Sequence, residues 1–152
     1  MELGNMSYLT NRTVKEKYVL AKNPSTPIDV LRELAKDTTF AIRQQVAFNP
    51  NTPEDTLRYL ENDNFNDVRA YVARNYNTPD DLLLKMAKDP AYEVKWSVAK
   101  NIKSSGKILV TLFEHEKNLK KTNRYIIREL YANVNCPIYI KSVIETLYGE
   151  WL

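Results

Sequence analysis

The sequence predicts an all-α solenoid, a stack of short helix pairs sharing one continuous core. Three observations point there. The segment Ala21-Lys22-Asn23-Pro24-Ser25-Thr26-Pro27 returns as Ala47-Phe48-Asn49-Pro50-Asn51-Thr52-Pro53 and as Ala73-Arg74-Asn75-Tyr76-Asn77-Thr78-Pro79, each 26 residues after the last. Between the copies, apolar residues recur at helical spacing. The 152 residues include only three glycines, too few for the turns of sandwiches and barrels or for a glycine-rich phosphate loop.

In order, residues 1–20 read as an N-terminal cap and the tail of a partial unit, followed by regular units at 21–46, 47–72 and 73–98. A fourth unit, 99–130, opens at Ala99-Lys100-Asn101. The next copy, Tyr131-Ala132-Asn133-Val134-Asn135-Cys136-Pro137, arrives 32 residues later, so the fourth unit carries six inserted residues. Residues 131–152 close the stack as a capping unit in one domain, and Leu147, Tyr148, Trp151 and Leu152 are expected to cover its open face.

Within a unit each column has a local purpose. Thr26, Thr52 and Thr78 precede Pro27, Pro53 and Pro79, and Asp29, Asp55 and Asp81 follow. This predicts a threonine N-cap, proline at the first helical position, and a carboxylate facing the positive end of the helix dipole. Leu31, Leu34 and Ala35, then Leu57 and Leu60, then Leu83, Met86 and Ala87 bury one face of this first helix. At about ten residues, or about 15 Å, it needs neighbours to be stable. A shorter second element follows Asp37, Asp63 or Asp89, with stripes at Ile42, Val46 and Ala47, at Val68, Val72 and Ala73, and at Val94, Val98 and Ala99. It has room for two turns, α or 3₁₀. The asparagines at 23, 49, 75, 101 and 133 end it, where asparagine tolerates left-handed geometry and can hydrogen-bond adjacent backbone groups.

The pattern in Ile42-Arg43-Gln44-Gln45-Val46-Ala47-Phe48-Asn49-Pro50-Asn51-Thr52-Pro53 and in Val68-Arg69-Ala70-Tyr71-Val72-Ala73-Arg74-Asn75 resembles the variant leucine-rich repeat. The resemblance covers about residues 14–148 and implies a bacterial α-solenoid, a right-handed superhelix related to HEAT and armadillo repeats. It transfers a fold rather than a function. The six-residue offset of Asp37 from Arg43, Asp63 from Arg69 and Asp89 from Lys95 is similar to the Asp–Arg ladder of HEAT-like repeats, in which the turn aspartate bonds the basic residue of its own or an adjacent unit. The competing reading of the same cations, with Lys17 one period earlier, is a nucleic-acid groove.

Composition narrows the function classes. Hydrophobic residues at 43% and charged residues at 27% are ordinary for a globular protein, and a net charge of +3 does not demand a polyanion. One cysteine and one histidine exclude a disulfide framework, a Cys/His zinc site and a cysteine-held iron–sulfur cluster within one chain. Glu114-His115-Glu116 offers at most a weak metal site. No catalytic constellation is readable, so neither an enzyme nor a cofactor is expected. Cys136 stands in the threonine column, where a helix N-terminus would lower its pKa. The absence of a signal or spanning segment in the sequence leads to the expectation of a cytoplasmic protein without a membrane partner.

The reading that follows is a non-enzymatic protein-interaction module, with nucleic-acid binding as the alternative. Residues 47–72 hold five acidic residues against two basic, a net of −3, whereas 99–130 hold eight basic against three acidic, a net of +5. Lys117, Lys120, Lys121 and Arg124 concentrate that charge in the insertion, where they would steer an acidic partner. Tyr59, Tyr71, Tyr76 and Trp96 lie outside the apolar columns and are candidate anchors.

Overall fold

The computed structural model describes residues 9–119 and 122–152 and contains no strand among them. Ten α-helices lie wholly within the described residues: α1 (Val14–Lys22), α2 (Ile28–Leu34), α3 (Phe40–Phe48), α4 (Glu54–Leu60), α5 (Asn66–Arg74), α6 (Asp80–Met86), α7 (Tyr92–Lys100), α8 (Gly106–Lys117), α9 (Arg124–Ala132) and α10 (Ile138–Tyr148). A 3₁₀ turn, Gly149–Trp151, ends the chain. None of these helices is long and apolar enough to cross a membrane.

The helices form two rows. The odd-numbered helices pack side by side from α1 to α9, whereas the even-numbered ones are spread apart and meet closely only at α6 and α8. Between the rows runs the core: Leu31, Ile42 and Val46, then Leu57, Val68 and Val72, then Leu83, Val94 and Val98, then Leu109, Phe113, Ile127 and Leu130, all buried. Neighbouring pairs share this core, which gives an α-solenoid.

Relative helix length differs from the expectation. The helix after the proline has seven residues in α2, α4 and α6, while the second element is a regular nine-residue α-helix in α3, α5 and α7. The threonine is not the N-cap. Pro27, with φ −56° and ψ 144°, occupies that position, so the first helical bond runs from Leu31 N to Pro27 O. The threonine hydroxyls turn back instead. Thr26 donates to Leu20 O at 2.6 Å, Thr52 to Val46 O at 2.6 Å, Thr78 to Val72 O at 2.5 Å, and Ser104 to Val98 O at 2.7 Å. The last carbonyls of a helix lack sufficient intrahelical donors, which makes them ready acceptors.

At the C-terminal end Tyr148 and Trp151 stack with centroids 4.9 Å apart and pack on the core. Leu147 and Leu152 remain exposed, contrary to expectation, as do Val134 and Ile138.

Candidate functional site

Two ladders position the surface available for binding. In the first, each basic residue reaches the aspartate of the following unit. Lys17 Nζ lies 2.9 Å from Asp37 Oδ2, Arg43 Nε 2.6 Å from Asp63 Oδ2, and Arg69 Nε 2.8 Å from Asp89 Oδ2. The second arm of each arginine donates to the aspartate carbonyl of its own unit, Arg43 to Asp37 O and Arg69 to Asp63 O, both at 2.7 Å. The six-residue offset is therefore a backbone contact, and the ion pair spans units. Each carboxylate also accepts the amide two residues on, from Thr39, Phe65 or Ala91, which starts the close-packed helix. Burial opposes ionisation of Asp63, but bonds from the Arg43 guanidinium and the Phe65 amide outweigh it and hold the carboxyl below its usual range. Asp37 is lowered too: the Thr39 amide and Lys17 overcome its burial.

The second ladder was legible in the sequence only as local backbone bonding by the asparagines, not as a contact between units. Asn49 Nδ2 donates to Ala21 O and Asn23 O, both at 2.8 Å, and Asn75 repeats this onto Ala47 O and Asn49 O at 2.8 and 2.9 Å. Asn101 and Asn133 continue it. Oδ1 accepts the amide two residues on, as from Asn51 and Asn77. The backbone here is extended, φ −63° at Asn49 and −70° at Asn75, so asparagine is selected for cross-unit bonding rather than for left-handed geometry.

The fourth unit departs from the pattern. Lys95 does not pair with Asp89; it lies 2.7 Å from Oε1 of Glu116, whose residue is 0% exposed. Glu116 Oε2 accepts from Asn123 N at 3.3 Å. The inserted residues lengthen α8 to twelve residues, and its last turn delivers the carboxylate that a turn aspartate supplies elsewhere. Glu114 bonds Lys117 at 2.7 Å, so both carboxylates of the Glu-His-Glu segment are taken by lysines. Cys136, in the threonine column, is buried, and that burial pushes its thiol up instead of the helix end lowering it.

With the ladders on the unit edges, the outward face of the close-packed row carries a groove of about 530 Å³. Tyr71 and Arg74 from α5, Tyr92 and Trp96 from α7 and Tyr125 from α9 line it, with Asp67 and Glu93 at the helix starts and Ser97 also in the lining. Phe48 meets Tyr71 edge-on at 5.3 Å, and Arg74, Lys100 and Arg124 lie over the rings of Tyr71, Trp96 and Tyr125. Ring, carboxylate and cation thus alternate across three helices.

Among the sequence candidates, Trp96 and Tyr71 share this groove, and Arg124 sits at its edge on Tyr125. Tyr76 lines a separate hollow of about 410 Å³ with Phe48, Pro50 and Arg74. Lys117 lies on α8, paired with Glu114 and over the Phe113 ring. Lys120 and Lys121 lie outside the described residues. Sequence reasoning missed Tyr92 and Tyr125. The signal was present: both stand on the stripe of their helices left over once the buried columns are assigned.

Comparison with known proteins matches residues 67–91 to the leucine rich repeat variant. No curated protein and no solved structure matches the chain. The stretch that starts at Asp67 in the groove and runs through α5 and α6 to Ala91 thus matches a helical HEAT-like repeat family, in keeping with its place in this α-solenoid.

Proposed function

We propose that the chain is a protein-interaction module that holds a partner polypeptide on the face of its close-packed row. One observation carries this reading: Tyr71, Tyr92, Trp96 and Tyr125, from three successive helices of that row, converge on one groove. Large aromatic side chains in a partly enclosed, mainly apolar groove are the side chains that dominate protein interfaces. The repeat family is consistent with this role. Nucleic-acid binding has less support, because the cation column is engaged. Lys17, Arg43, Arg69 and Lys95 each hold a carboxylate, which neutralises the charge that phosphates would require.

Site-specific photocrosslinking tests the docking surface. A p-benzoylphenylalanine replacing Trp96 or Tyr71 is expected to yield a discrete adduct with one polypeptide in extract from the source cell. The same probe replacing Tyr59, exposed on α4 in the spread row, is expected to yield none. Adducts from position 59 with none from 71 or 96 would reject the groove.

A further inference from the structure

We infer that the groove selects a partner segment presenting an arginine side chain, seated against Trp96 with its guanidinium on Asp67 and Glu93. This inference rests on the interaction reading above and names the partner's chemistry. Three observations carry it.

The first is charge. Most carboxylates of the molecule are taken: Asp29 and Asp55 by Arg32, Glu54 and Asp81 by Arg58, Glu61 by Lys85, and the ladder aspartates by their cations. Asp67 and Glu93, at equivalent positions of adjacent helices, have no hydrogen-bond or ion-pair partner among the described residues, and both line the groove. The helix dipole favours a carboxylate in each first turn. It does not account for two of them sharing a groove with four aromatic rings.

The second is a hydroxyl in the groove lining. Thr26, Thr52, Thr56, Thr78 and Ser104 are buried, and each hydroxyl has a hydrogen bond. Ser97 is 2% exposed, lines the groove, and has no hydrogen-bond partner among the described residues. Its hydroxyl oxygen reaches the groove instead of being sealed in the core, so it offers a hydrogen-bonding group to whatever the groove holds.

The third is ring chemistry. Arg74, the cation of the lining, and Lys100 beside it already occupy faces of Tyr71 and Trp96, whereas Asp67 and Glu93 make no hydrogen bond or ion pair among the described residues and Glu93 only adds to the negative field at Arg69. A guanidinium combines planar stacking on an aromatic ring with bidentate bonding to carboxylate, which suits it to this lining better than an ammonium. The same carboxylates disfavour phosphate and acidic side chains.

The test is an NMR titration of the ¹⁵N-labelled full chain, following the Trp96 indole N–H, which is distinct from that of Trp151. The probe is the capped heptapeptide Gly-Ser-Gly-Arg-Gly-Ser-Gly, with glutamine- and glutamate-centred versions and an oligouridylate as comparisons. The arginine peptide is expected to shift the Trp96 signal saturably, with an apparent affinity about tenfold or more above the glutamine version. In the double variant Asp67→Asn, Glu93→Gln, both at solvent-accessible positions, that preference should collapse with the remaining spectrum unchanged. The inference is overturned by equal shifts from the glutamine peptide, by stronger shifts from the glutamate peptide or the oligouridylate, by an unaltered preference in the double variant, or by no shift at all. Crosslinking from position 96 alongside any of these results would leave the interaction reading standing and remove only the arginine assignment.

Discussion

Asn75 commits its whole side-chain amide to backbone: both Nδ2 hydrogens go to carbonyls of the preceding unit and Oδ1 receives the amide of Asn77. Asn75→Ala would strand buried carbonyls, at about 1–3 kcal/mol for each unsatisfied group. A loss of about 3 kcal/mol in urea unfolding is expected, against less than about 1 kcal/mol for Asn51→Ala, whose side chain is exposed and donates only to Thr26 O. Equal losses would remove the asparagine ladder as a source of cohesion. Cys136 gives the opposite test, since Cys136→Thr restores a hydroxyl where its four counterparts cap the preceding helix; a gain of about 1 kcal/mol is expected. The aspartates add a pH signature. Asp37 and Asp63 have folded pKa values below the unfolded value of about 4, so the stability they add is present above about pH 4 and is lost as pH falls through the lower folded value. The stability gap between wild type and Asp63→Asn should therefore close on acidification through that range, and a gap independent of pH would contradict the pairing.

At the level of elements, α8 shows how the insertion is tied into the fold. Lys95 and Glu116 are both buried, so breaking the pair leaves an uncompensated charge. Glu116→Ala is expected to cost about 3–5 kcal/mol in denaturant unfolding, and adding Lys95→Met should recover most of that loss. A mild effect of the single substitution would show that water or another group reaches Lys95. This element also marks where sequence reading stops. The offsets that place Asp63 before Arg69 are visible in the chain, but the partner across units is set by helix packing, and the switch from Asp89 to Glu116 depends on an extra turn of α8. Helix lengths were misjudged for a related reason. The Thr-Pro pair looks like a cap-and-first-turn signal, yet the threonine hydroxyl gains more by meeting carbonyls of the previous helix, which moves the start to the residue after the proline.

Across the whole molecule the two kinds of residue separate in space. Columns that repeat in sequence are committed to cohesion, the Thr and Asn side chains to backbone carbonyls of the preceding unit and the Asp carboxylates to the cation of that unit, which is why the solenoid could be read from them. The groove was only half legible because its positions do not repeat: Gln44, Ala70 and Trp96 fill one column, Gln45, Tyr71 and Ser97 the next. Reading down a column hides a surface that forms across three helices, and only packing of the close-packed row brings Tyr71, Trp96 and Tyr125 together. The separation of cohesion from recognition follows from this placement. Its most direct test is capture of the crosslinked partner by chains carrying Trp96→Ala, with unfolding measured on the same samples. The account predicts capture reduced by about tenfold or more, the scale of an aromatic hot spot, while the unfolding free energy stays within about 1–2 kcal/mol of wild type. Undiminished capture by a folded Trp96→Ala chain would contradict it.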